Sequence, residues 1–251
     1  MRLHELVAHL DHYLDTRAIP DSDRALNGLQ VDNGDAEVRS VAVAVDACQA
    51  VIDEAVEKRA DLLIVHHGLF WGGLEPLTGR AYRRIGALLR GGVALYSSHL
   101  PLDRHPDVGN NALLARRLGI PILGSWGDYK GAPIGVWGEV DETRDALGAR
   151  LAASLGVSPR LIGGGPPRAR RVGIVTGAGG DLIAEASAAG IDTFITGEGK
   201  HHSFFDAEEL GVNVFYAGHY ATETLGVRAL GEYIAKLYQL AWTFIDHPTG
   251  L

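Results

Sequence analysis

Apolar runs of strand length recur at residues 41–45, 62–65, 93–96, 172–175, 191–195 and 212–216, separated by longer polar and helix-favouring stretches. Such runs are apolar without alternation, as expected of strands covered on both faces. Residues 47–59 and 183–189 are Ala-rich, suit helices, and each lies between two strand candidates. A β-then-α alternation follows, and with it an α/β fold built on a largely parallel, two-sided sheet. Leu3, Leu6, Val7, Leu10 and Leu14 recur at helical spacing and predict an N-terminal amphipathic helix that lays one stripe on the core.

Length sets the domain count. The 251 residues suit one large or two medium domains. The glycine-rich, irregular stretch 124–133 places a boundary near residue 125, giving domains 1–125 and 126–251. Gly163-Gly164-Gly165-Pro166-Pro167 reads as a connector, and Asn27-Gly28-Leu29-Gln30-Val31-Asp32-Asn33-Gly34 as a loop or edge strand. A single cysteine, Cys48, excludes an intrachain disulfide scaffold and suits a reducing, cytoplasmic setting. No run approaches the length of a membrane span, and charge at Arg2 and Glu5 interrupts any leader-like start. The net charge of −8 argues against broad charge-driven binding to nucleic acid, and the basic run Arg168-Ala169-Arg170-Arg171 reads as a solvated loop.

In open parallel sheets ligands gather outside the carboxyl ends of strands, so those ends are where chemistry is sought. Residues 62–65 run into His66-His67. Residues 93–96 lead to Ser97-Ser98-His99-Leu100-Pro101-Leu102-Asp103, and 212–216 to Ala217-Gly218-His219-Tyr220-Ala221-Thr222-Glu223. Each end carries a metal-ligand type. Imidazole nitrogen mixed with carboxylate oxygen suits divalent Zn, Fe, Mn or Co better than Ca or Mg. If a helix opens after residue 216, His219 and Glu223 sit one turn apart and can grip one ion or bridge two. Adjacent histidines on an extended strand diverge, so His66 and His67 favour a dinuclear centre or a bend at Gly68. Neutral histidines with Asp103 and Glu223 leave a pair of divalent ions with a residual charge of about +2, fit for a bridging hydroxide or an anionic substrate.

Other candidates are less specific. Thr196-Gly197-Glu198-Gly199-Lys200-His201-His202 gathers acid, base and cation in one turn, and reads either as support for ligands and substrate or as a solvated turn. Thr176-Gly177-Ala178-Gly179-Gly180 is a tight glycine turn into a helix with some capacity for anions; the fingerprint of a dinucleotide site is incomplete because Leu182 stands where its last glycine would be. His4, His9, His12, His105 and His247 read as structural, as do Phe70, Trp71 and Trp126.

Five segments, in order, resemble the motifs of the Nif-three-like proteins, also called GTP cyclohydrolase 1 type 2 homologues: Asn27-Gly28-Leu29-Gln30-Val31; Val65-His66-His67-Gly68-Leu69-Phe70-Trp71; Ser98-His99-Leu100-Pro101-Leu102-Asp103 with Gly109-Asn110-Asn111; Thr196-Gly197-Glu198; and Gly218-His219-Tyr220-Ala221-Thr222-Glu223. The resemblance covers nearly the whole chain. It implies two similar α/β domains with a metal site in the cleft between them, and a ring-shaped homohexamer with the sites facing an internal cavity. It implies two divalent ions per subunit, held by His66, His67, Asp103, His219 and Glu223, with Glu223 as the bridge. The chain departs in having Gly68 where proline often follows the paired histidines, and it has no room for the inserted domain of longer relatives.

The activity so implied is metal-dependent hydrolysis of a small anionic or nucleotide substrate. The family label specifies opening of a purine ring by metal-activated water, with His99, Glu198 or His202 moving protons. No basic triphosphate-binding loop is visible. The alternative is a non-catalytic ring protein whose metal centre serves regulation or scaffolding.

Overall fold

The computed structural model describes residues 1–73 and 75–251. In chain order the elements are α1 (Leu3–Tyr13), β1 (Gly28–Val31), β2 (Ser40–Asp46), α2 (Gln49–Glu57), β3 (Leu62–His67), α3 (Gly79–Gly91), β4 (Ala94–Ser97), α4 (Leu100–Arg104), α5 (Asn110–Arg117), β5 (Gly124–Tyr129), β6 (Ala132–Thr143), α6 (Arg144–Leu155), β7 (Arg160–Gly163), β8 (Arg168–Val175), α7 (Ile183–Ala188), β9 (Thr193–Thr196), α8 (Ser203–Glu209), β10 (Asn213–Tyr216), α9 (His219–Tyr238) and β11 (Ala241–Phe244). They form two sheets, and the fold is α/β as expected. The chain divides into two compact units, Met1–Leu102 with Gly226–His247, and Asp103–Leu225 with Pro248–Leu251. Segments 103–125 and 226–247 therefore fall outside the halves to which a cut at residue 125 assigns them.

In the first unit the sheet order is β1-β4-β3-β2-β11, with β4, β3, β2 and β11 parallel and β1 antiparallel at the edge. Ala42, Ala44, Leu63, Val65 and Leu95 turn to Val51, Ile52 and Ala55 of α2 and Leu88 of α3. The alternate residues Val41, Val43, Leu62 and Ile64 are also buried, which is why the strands read as unbroken apolar runs. Val43 receives α9: a Cβ at Gly231 would stand 2.8 Å from its methyl, so the helix lies close to the sheet there.

The second unit differs from the parallel expectation. Its order is β5-β6-β8-β9-β10-β7, and only β8, β9 and β10 are mutually parallel. β5, β6 and β7 join antiparallel. The stretch 124–133 is a hairpin here. Tyr129 pairs with Ala132 across a two-residue turn whose Lys130 and Gly131 have φ of 53° and 83°, the left-handed pair that a type I′ turn needs. Val172, Ile174, Ile195 and Phe215 face Leu114, Leu147 and Leu151 on one side. Val175, Phe194 and Val214 face Ile183, Ala186 and Ala207 on the other.

Arg168–Arg171 is likewise no loop; it is the first half of β8. Ala169 is buried while its arginine neighbours turn outward, the alternation of a strand whose outer face is wet. Arg168 pairs with Asp141, and the Arg171 guanidinium lies 3.8 Å from the Trp137 ring centre. Among the described residues no helix is long and apolar enough to cross a membrane.

Candidate metal centre

Three strand ends build the first unit's donor set. β2 and β3 run parallel with Asp46 opposite His67, and β3 and β4 with Val65 opposite Ser97, so the last residues of all three emerge side by side. His66 is fully buried. Its Nδ1 lies 2.9 Å from the Ser98 carbonyl. A carbonyl only accepts, so Nδ1 carries the proton and the Nε2 lone pair is left for a ligand or cation. His67 Nδ1 makes the corresponding bond to Asp46 Oδ1 at 2.9 Å, and His99 Nδ1 to Asp21 Oδ1 at 2.9 Å. His66, His67 and His99 each bring one ring nitrogen into a group whose members lie within 4.8 Å of one another. Three imidazole nitrogens so close could hold a metal ion between them.

The carboxylate behind His99 is itself fixed. Burial acts most strongly on Asp21 and favours its neutral form. His99, the Asn27 amide and the Leu100 N–H together outweigh it and hold the carboxyl below its ordinary range. Trp71 stands edge-on to both His67 and His99, at centroid distances of 5.9 Å and 4.9 Å. Gly68 has a local reason. A Cβ there would lie 2.3 Å from the Gln30 amide, which donates to Ala25 and Leu26 carbonyls and accepts from the Leu69 N–H. The side chain cannot step aside without losing those bonds.

The second unit gathers Asp103, His219 and Glu223 about the turn that ends β8. The buried Asp103 carboxylate accepts from Asn110 Nδ2 at 2.8 Å and from the Thr176 hydroxyl at 3.2 Å. The next residue, Gly177, has φ 67° and approaches the other donors. A Cβ on it would stand 2.1 Å from Glu223 Oε1 and 3.4 Å from His219 Nε2. His219 and Glu223 are both on the first turns of α9, as the four-residue spacing predicts, with Nε2 and Oε2 3.0 Å apart. Glu198, one residue past Gly197 at the end of β9, takes His219 Nδ1 at 2.7 Å. Burial is the strongest single influence on His219 and disfavours its charge. The hydrogen bonds and charges of Glu223 and Glu198 outweigh it and push the imidazole up to about 9.

The candidates from sequence thus fall into clear positions. His66 and His67 stand together in the first unit, and Asp103, His219 and Glu223 lie about one turn in the second. Glu198 orients His219. His99 stands with the paired histidines, a place its strand-end position did not reveal. His202 is exposed beside Asp181, at 3.9 Å, and no contact among the described residues joins it to His219 or Glu198. Sequence reading missed Asp21, Asp46 and Thr176. Asp46 was findable, since it is the carboxylate that ends β2 just as His67 ends β3; Asp21 lies in an irregular stretch and carries no such signal.

An α/β subunit with imidazole and carboxylate donors gathered at its strand ends defines a metalloprotein-like class of site. The profile of the Duf34/NIF3 family (NGG1p interacting factor 3) matches residues 1–249. Full-length relatives called "GTP cyclohydrolase 1 type 2 homolog" include one from Halobacterium salinarum, 49% identical over 95% of this chain and 96% of its own. Another, from Deinococcus radiodurans, is 44% identical over 98% and 94%. A crystal structure from Thermus thermophilus superposes with a TM-score of 0.90 at 42% identity, covering 100% of both chains. The chain belongs to the Duf34/NIF3 family.

Proposed function

We propose that His66, His67, Asp103, His219 and Glu223 ligate two divalent ions, of Zn, Fe, Mn or Co, with Glu223 as the bridging carboxylate. One observation carries the reading. The three histidines among the proposed ligands, His66, His67 and His219, are each fixed through Nδ1 by an oxygen acceptor: Ser98 O, Asp46 and Glu198. Ligating histidines are held in this way, because the bond sets the tautomer and the ring plane and raises the basicity of Nε2. Imidazole and carboxylate in one set favour first-row transition ions over Ca or Mg.

The centre would activate water near neutral pH, and the protein would act as a metal-dependent hydrolase. Its substrate is a small anion, drawn by the residual positive charge; the name of the curated relatives makes a purine nucleotide the first class to try. His99, adjoining the histidine pair and backed by Asp21, is the group placed to move a proton; Glu198 acts by holding His219. His202, exposed beside Asp181, drops from the catalytic proposal. The subunits assemble as a homohexamer in the cytoplasm.

Elemental analysis of protein purified without added metal, followed by a nucleotide and phosphoester screen with the bound metal restored, tests this. Glu223→Ala is expected to lose metal and turnover together. Turnover by metal-free protein would refute the hydrolase. Metal bound in stoichiometric amount with no product from any substrate would favour a regulatory or scaffold role.

A further inference from the structure

The first unit holds a second feature that the donor set does not use, a cavity of about 530 Å³. That volume is within the range of small-molecule sites. One wall is a face of α3 and its approach: Leu77, Arg80, Ala81, Arg84 and Ile85 follow helical spacing and all line it. The facing walls are Leu26 and the loop that follows the paired histidines, with Leu69 and Phe70.

Two observations mark it as more than a packing gap. Leu26 has φ 44°, a left-handed backbone that costs a non-glycine residue about 1 kcal/mol. Gln30 holds that strained turn and the Leu69 loop together through bonds to both, so the two walls are fixed before anything enters. The second observation concerns charge. α3 carries Arg80, Arg83, Arg84 and Arg90 and no acid, in a chain of net charge −8. Arg84 Nε is buried and has no hydrogen-bond partner among the described residues. Burial acts most strongly on Arg84 and disfavours its charge, Arg80 and Arg83 repel it, and the Cys48 thiol is the one group that works the other way, with the net balance against the charge. Asp23 and Glu75 also line the cavity, and against Arg24, Arg80 and Arg84 they leave a formal excess of one positive charge. A guanidinium stays protonated even so, and one that is half-buried with its Nε enclosed and unbonded among the described residues is stabilised by an anion brought to it.

We propose that this cavity binds a small amphipathic monoanion, an aliphatic or aromatic body seated against Leu26, Phe70, Leu77 and Ile85 with its carboxylate-like head on Arg84 and Arg80. The site contains none of the proposed metal ligands and stands or falls apart from them.

Calorimetric titration of the full-length protein with octanoate tests it, with 1-octanol as the body without the charge and inorganic phosphate as the charge without the body. Octanoate is expected to bind at one site per chain, with octanol at least about tenfold weaker, the effect of losing one charge-assisted hydrogen bond. Phosphate at equal concentration should not displace it. Arg84→Met should weaken octanoate by a similar factor and leave octanol unchanged, and Arg80→Met should do so to a smaller extent. Octanoate bound through a metal instead would be insensitive to Arg84→Met, and that result overturns the proposal. So does equal binding of octanol and octanoate, or no binding at all, as expected if a second copy of the chain fills the cavity.

Discussion

Gly177 offers the sharpest separation of donor geometry from stability. Its φ of 67° strains any side chain by about 1–2 kcal/mol. At roughly 2–4 °C per kcal/mol for a chain of this size, Gly177→Ala should lower the melting temperature of metal-free protein by about 2–8 °C. The steric effect is separate. The new methyl would stand 2.1 Å from Glu223 Oε1, inside any allowed contact, so the carboxylate must swing away from His219 Nε2, now 3.0 Å from its other oxygen. Displacing the ligands' supporting contacts costs metal affinity about 10–100-fold. Gly211 supplies the control: its φ is 69° and a Cβ there meets nothing within 4 Å. Gly211→Ala should lose a similar melting interval and no affinity. The assays are thermal unfolding of metal-free protein and Zn or Mn titration against a competing chelator. Wild-type affinity in Gly177→Ala, or an equal affinity loss in Gly211→Ala, would refute the reasoning.

The remaining expectations concern support, titration and core. Asp46→Ala unanchors His67 Nδ1 and should cost about 10–100-fold in metal affinity by the same titration, with little change in fold because the residue is a strand end at the surface. His219, raised to about 9 in metal-free protein, contributes stability that is fully present below 6.5 and lost as pH rises through about 9. Because metal must displace that proton, apparent affinity should climb about tenfold per pH unit across this window and level off above it. Glu198→Gln removes one of the groups that raise His219, so an imidazole NMR titration should find its midpoint lower than wild type, and an unchanged midpoint would remove Glu198 from the account. Phe194 is fully buried and edge-on to Trp126 at 5.0 Å; Phe194→Ala should cost about 3–5 kcal/mol, measured by denaturant unfolding.

What the sequence discloses depends on whether a local signal exists. The central strands β2, β3, β4, β9 and β10 are legible because both their faces are buried, so apolar residues run without interruption. β8 is half legible. Its start carries Arg168 and Arg170 outside and Arg171 half-buried against Trp137, with Ala169 inside, and a charge run hides a strand of that kind. The hairpin of β5 and β6 was disguised by Gly124, Gly127 and Gly131, which look like a domain break. β11 is four residues at a sheet edge with two of them exposed, too short for periodicity to show.

The donors were legible for a related reason. A parallel sheet places chemistry at carboxyl ends, so His66-His67, Asp103 and His219 with Glu223 stand out once the strands are read. Their supports did not. Asp21 reaches His99 from a segment without regular structure, and Thr176 reaches Asp103 across the second unit's fold; only three-dimensional contact joins such pairs.

Diffraction at the absorption edge of the loaded metal is the measurement to make on crystals of the purified protein. The account predicts two anomalous peaks per chain, each within about 2.0–2.2 Å of a His nitrogen or carboxylate oxygen from His66, His67, Asp103, His219 or Glu223, with Glu223 touching both. Peaks confined to the three histidines of the first unit, or none near Glu223, would contradict it.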